Sequence, residues 1–192
     1  STQHSFLPVR MSEASASLQS DVMQSWTGTW KLDRRENWEP WMQFMGVQPD
    51  NYEAAKSAPD VHKYRMTKDH FTMEHIIPAQ NMHLLFCAEL DGSLQPSPYA
   101  KPTVAHWAEG EAPKTGQFRN LWLEEPSAFR TEYQDWMGKA GKTMRLDRRL
   151  ISKDEIEMTV HILEKESIVV GPCKTFMKRT SDVGPEPIAW LR

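Results

Sequence analysis

Cysteine is nearly missing from this chain. The 192 residues include only 2, Cys87 and Cys173, too few for the disulfide framework of a small secreted domain. Both lie in segments of alternating apolar residues and read as buried free thiols. Glycine is sparse too, with 9 residues that form neither a phosphate-cradling loop nor a Rossmann fingerprint. There is no Gly-x-Ser-x-Gly elbow, which removes the common hydrolase signature. No run approaches the roughly 20 apolar residues of a membrane-spanning helix, so integral membrane association is not expected. Neither sign of charge dominates: 23 Lys and Arg against 26 Asp and Glu leave a net charge of −3. That balance argues against nucleic acid as a partner, because such binders carry a basic face. The 7 histidines show no His-x-x-x-His spacing and the cysteines no Cys-x-x-Cys, so no metal site is expected.

What the chain does hold is an unusual supply of large, polarizable side chains, 8 Trp and 11 Met. They fit an apolar ligand cavity and equally a Trp- and Met-heavy core. The length is ample for one buried core. Patterned sequence begins near Trp26 and ends near Arg179, which divides the chain into a flexible segment 1–24, a domain 25–180 and a tail 181–192. The first ten residues contain no continuous apolar stretch, so no secretory signal is expected there; they read as a processing remnant or a disordered tail.

Residues Ser25 to Leu32 read as a strand. Trp38, Trp41, Met42 and Met45 then recur at helical spacing, predicting a helix over Glu36–Val47 with Pro40 near its first turn. A second short helix follows from Pro49 and ends before Pro59. Everything after Asp60 alternates as strand: Phe71, Met73, His75 and Ile77, then Met82, Leu84, Phe86 and Ala88, with a turn at Asp91-Gly92. A proline-rich excursion at 93–116 is too long for a hairpin loop. Strand signals return at Phe118–Glu125, Ala128–Trp136, Thr143–Ile151, Glu155–Leu163 and Ser167–Arg179. The order predicts an all-β chain with two short helices, namely an up-and-down antiparallel β-barrel of about ten strands capped by a helix-turn-helix lid.

The segment Trp26-Thr-Gly-Thr-Trp-Lys-Leu32, followed by Glu36-Asn-Trp-Glu-Pro-Trp-Met-Gln-Phe-Met-Gly-Val47, resembles the opening of the intracellular fatty-acid-binding protein family. Gln134-Asp-Trp-Met-Gly-Lys139 resembles a hairpin of that family, and Asp154–Ile162 one of its late strands. The resemblance spans roughly residues 25–180. It implies a calycin-type barrel with a helical portal and a large internal cavity for a fatty acid, retinoid or similar lipid. Trp38, Trp41 and Met42 match positions that contact ligand from the lid. The family holds its ligand carboxylate with an Arg on one late strand and an Arg-x-Tyr on the last; the latter is matched here to Lys174-x-Phe176. That replacement exchanges a planar bidentate cation for a point charge and removes a hydroxyl. The 93–116 insertion is foreign to the family.

Strand parity indicates which polar groups share a face. In Thr143–Ile151, Leu146, Arg148 and Leu150 fall on one side, so Arg148 is expected inside; a one-residue slip would leave it solvated. Counting back from Trp136 places Gln134, Glu132 and Arg130 on the face of that tryptophan, with Glu132 able to neutralise Arg148. The opposite parity, with Phe129, Thr131 and Tyr133 inward, is nearly as attractive. His75 shares the face of Phe71, Met73 and Ile77 and reads first as a satisfied interior or rim histidine, otherwise as a hydrogen-bonding group for ligand or a haem ligand. His83 and His161 alternate with apolar residues and are expected to face solvent, and His106-Trp107 falls in the excursion.

These readings converge on a monomeric cytoplasmic carrier whose partner is a hydrophobic small molecule, a lipid or lipophilic chromophore, held by Trp38, Trp41, Met42, His75, Glu132, Gln134, Trp136, Arg148, Met158, Lys174 and Phe176. The alternative is an enzyme or light-related protein acting on a lipophilic substrate in the same cavity. No motif requires catalysis, so the carrier is preferred.

Overall fold

The computed structural model describes residues 21–80, 82–97 and 116–181. Its strands are β1 (Gly28–Glu36), β2 (Val61–Met66), β3 (His70–Ile77), β4 (Met82–Glu89), β5 (Gln95–Pro96), β6 (Gln117–Glu124), β7 (Ala128–Tyr133), β8 (Lys142–Ser152), β9 (Glu155–Glu164) and β10 (Ser167–Thr180). They form one ten-stranded antiparallel sheet in the order β4-β3-β2-β1-β10-β9-β8-β7-β6-β5. Chain neighbours pair except β4 and β5, which end the sheet, and the pairing of β1 with β10 curls it into a barrel wall. The remaining seam is bridged by a few groups rather than a ladder. Gly92 N–H donates to the Asn120 carbonyl at 2.8 Å, and the Gln95 side-chain amide stands in for a peptide against the Glu89 backbone at 3.2 and 3.4 Å.

Two short helices cross one end, α1 (Glu39–Phe44) and α2 (Tyr52–Ser57), joined through a 3-10 turn at Pro49–Asn51. The first is shorter than the Glu36–Val47 pattern predicts, because β1 keeps its ladder with β10 as far as Glu36 and Asn37 then turns at φ +50°. Pro40 falls in the first turn of α1, where a missing N–H costs nothing. At the other end, residues 21–26 are helical, so Ser25 and Trp26 precede the strand rather than open it. The Trp26 indole is fully buried and donates to the Pro126 carbonyl at 2.8 Å.

Alternation sets the two faces of the wall. Met144, Leu146, Arg148 and Leu150 of β8 point inward, while Arg145, Asp147 and Arg149 pair outside with Glu132, Arg130 and Glu124. Inside, Trp30, Tyr64, Phe71, Met73, Phe129, Met158 and Met177 join one apolar cluster. Cys173 belongs to that cluster, but Cys87 is exposed, because it lies on the outer face of β4 one residue before the inward Ala88. His83 and His161 are half-buried rather than solvated; His83 pairs with the Glu74 carboxylate outside.

The last strand carries a bulge. Register shifts occur between Ile168 and Val170 and again between Val170 and Cys173, around Gly171 at φ +108°. A Cβ at Gly171 would lie 2.5 Å from the Val160 carbonyl oxygen, so only glycine fits the close approach. Gly171→Ala is therefore expected to destabilise the protein by about 3 kcal/mol, read as a lower urea midpoint at unchanged slope. Unaltered stability would mean that the bulge is not rigid.

The excursion from residue 98 to 115, with His106-Trp107, lies outside the described residues, as do the lead before residue 21 and the tail after 181.

Candidate functional site

The antiparallel pairing of β2 with β3 builds the first half of the site. Asp60, His62 and Tyr64 alternate along one side of the chain, and His75 of β3 is the cross-strand partner of His62. Asp60 Oδ1 lies 3.0 Å from His75 Nε2 and 3.1 Å from His62 Nε2, while its Oδ2 accepts a 2.9 Å bond from Arg35. The two imidazoles meet edge to face at 4.3 Å. His62 Nδ1 and the Tyr64 hydroxyl are 2.5 Å apart.

Burial decides the charge of these groups. Desolvation raises the Asp60 carboxyl, but the adjacent histidines outweigh it and hold the group well below the usual carboxylate range. Desolvation lowers His62 to about 4 against the pull of Asp60, so the ring is neutral at pH 7. Tyr64 is raised by burial and stays a phenol.

The second half is Arg148, whose guanidinium is 1% exposed at the centre of the barrel. It donates to Thr131 Oγ1 at 2.7 Å, and Thr131 in turn donates to Asn120 Oδ1 at 2.6 Å. The Phe71 and Phe129 rings face the cation at 5.4 and 5.2 Å, and Met73 Sδ lies 4.0 Å from one nitrogen. The Arg148 cation acts electrostatically on Tyr64, so the two halves form one polar line through an apolar interior. No carboxylate among the described residues pairs with Arg148, and its buried Nε has no partner among them.

Several expected site residues gather around this line. His75 belongs to it, and Met158 is the cross-strand neighbour of Arg148, with its sulfur 3.8 Å from the Tyr64 oxygen. Trp38 and Trp41 of the lid, with Trp41 5.8 Å from Trp38 and 6.4 Å from Trp136, pack against the apolar cluster to which Trp136 belongs, and Met42 is the buried residue of α1.

Four others lie on the outer face. Glu132 is held by Arg119 and Arg145 outside the wall and does not reach Arg148, and Gln134 is exposed. The parity count through Trp136 fails because Asp135 and Met137 adopt positive φ, which returns the tryptophan to the interior while Gln134 stays out. Lys174 bonds Glu157 at 3.1 Å, and Phe176 packs beneath the Arg34 guanidinium at 3.7 Å. The inward residues of β10 are Cys173, Thr175 and Met177, one position away from the expected pair.

Asp60, His62 and Tyr64 were legible as an Asp-x-His-x-Tyr alternation, which places three polar groups on one strand face. A search for metal spacing within a helix or knuckle does not find them, since the fourth group comes from the next strand. Beside the cluster opens a cleft of about 820 Å³, lined by Arg35, Glu53, Lys56, Pro59, Asp60 and Pro78.

No protein-family model matches the chain. No curated protein matches it either. Solved structures do. A Schistosoma mansoni fatty acid binding protein, in complex with arachidonic acid, aligns at a TM-score of 0.57 and 16% identity over 83% of this chain and 99% of its own. Fatty-acid-binding protein 1 of Echinococcus granulosus aligns at 0.55 and 15% identity, over 83% and 100%. The fluorescent protein UnaG aligns at 0.56 and 11% identity, over 82% and 99%. With ten antiparallel strands, a two-helix lid and near-complete coverage of these structures, the chain has the fold of the fatty-acid-binding proteins, in a divergent sequence.

Proposed function

We propose that the protein is a carrier that encloses a lipophilic small molecule bearing an anionic group, with that group beside Arg148. The observation that carries this reading is the buried guanidinium without a carboxylate partner among the described residues. Burying an ion costs several kcal/mol, and two aromatic faces offset only about 1–2 kcal/mol of that. An anionic ligand headgroup supplies the missing partner through charge-assisted hydrogen bonds. The fold supports the apolar part of the reading: one neighbour is a fatty acid binding protein complexed with arachidonic acid. Met66, Met73, Met158 and Met177 line the interior, and such flexible thioethers repack around an entering chain. The exposed Cys87 thiol fits a reducing compartment, consistent with work in the cytoplasm.

The test is displacement of a fluorescent anionic probe, 1-anilinonaphthalene-8-sulfonate, from delipidated protein. Oleate is expected to compete at low micromolar concentration, with methyl oleate at least tenfold weaker. Lys174→Ala should leave affinity unchanged, since that side chain lies outside the wall. Equal affinity for acid and ester would remove the role given to Arg148.

A further inference from the structure

We propose that Asp60, His62 and His75 form a binding site for a divalent first-row transition metal of the zinc class. This inference is independent of the lipid reading.

The donor set is two imidazole nitrogens and one carboxylate oxygen, all within 4.8 Å of one another. That chemistry suits zinc and its neighbours, and three protein ligands with an open position is the pattern of exchangeable or catalytic sites. Small rotations bring such a set to the roughly 2.0–2.1 Å bonds that zinc requires.

The surroundings already meet the needs of the ligands. Arg35 occupies Asp60 Oδ2, which leaves Oδ1 to face the two rings. Its positive charge lowers the affinity without blocking the ligating oxygen. The Tyr64 oxygen lies 2.5 Å from His62 Nδ1 and holds that ring in place. Such an outer partner orients a ligating imidazole.

The decisive detail is His62 Nε2. The residue is 3% exposed and Nε2 lies 3.1 Å from Asp60 Oδ1, yet off the line of a hydrogen bond, so this buried nitrogen has no hydrogen-bond partner among the described residues. A cation between the ring and the carboxylate would give this nitrogen the partner it lacks. Asp60 and Arg35 also line the 820 Å³ cleft, which gives ions a route from solvent.

The experiment uses the full chain stripped with EDTA. Zn²⁺ titration by calorimetry is expected to show one site per chain, and Co²⁺ should give the visible d–d bands of a nitrogen–oxygen site without a thiolate charge-transfer band. His75→Gln and Asp60→Asn should each weaken Zn²⁺ binding by about 100-fold or more, while Cys87→Ser leaves it unchanged. Circular dichroism checks that the variants fold, and if they do not, the Co²⁺ spectrum of the unaltered chain decides. No stoichiometric Zn²⁺ binding, affinity untouched by both variants, or a thiolate band in the Co²⁺ spectrum would each overturn the site.

Discussion

Arg148→Met is expected to make the protein more stable and a poorer binder at once. The guanidinium is buried in an apolar interior, with hydroxyl, sulfur and aromatic contacts but no carboxylate among the described residues. Replacing buried ionic groups by apolar side chains of similar volume is often neutral or stabilising by about 1–4 kcal/mol. Thr131 still donates to Asn120 in the variant, so the loss strands no buried hydroxyl. Affinity moves the other way. Losing a charge-assisted pair with an anionic headgroup costs about 3 kcal/mol, or roughly 100-fold in Kd. The measurements are the urea midpoint without ligand and probe displacement by oleate. A variant that loses stability and keeps its affinity would show that Arg148 serves the fold.

The second large effect is expected at Trp26→Ala, with a loss of about 4 kcal/mol of unfolding free energy. The indole is fully buried, packs edge-on against Phe129 at 5.1 Å and donates to the Pro126 carbonyl at 2.8 Å. It thereby fastens the helical segment 21–26 to the turn before β7, 100 residues away in sequence. Truncation leaves both a cavity and an unpaired carbonyl. Trp26→Phe separates the two, because it keeps most of the packing and removes only the hydrogen bond, at about 1–2 kcal/mol. Equal losses in both variants would place the whole contribution in the bond.

The strand run after Asp60 was readable because wall strands of a barrel alternate apolar and polar residues over stretches of six to fourteen positions. The face of β8 was readable for the same reason: Leu146 and Leu150 flank Arg148 on the inner side, while its neighbours find ionic partners outside. Parity fails where the backbone departs from extended geometry. Positive φ at Asp135 and Met137 turned the expected inward face of Glu132 and Gln134 outward, and the Gly171 bulge goes with a last strand whose inner face is Thr175 and Met177 rather than Lys174 and Phe176. A single irregular residue inverts every side chain after it, and alternation alone carries no record of where that residue lies.

By itself, then, the sequence determined the all-β architecture with its two-helix lid and the face of β8 that carries Leu146, Arg148 and Leu150, because these follow from local periodicity. Only the tertiary structure decided which polar groups meet. Asp60 directly precedes β2, His62 lies on it and His75 on the next strand, Arg148 comes from β8, and Arg35 reaches in from β1. Such a cluster is a property of cross-strand register and barrel closure, which bring residues distant in sequence within bonding distance and remove the water that would otherwise screen them.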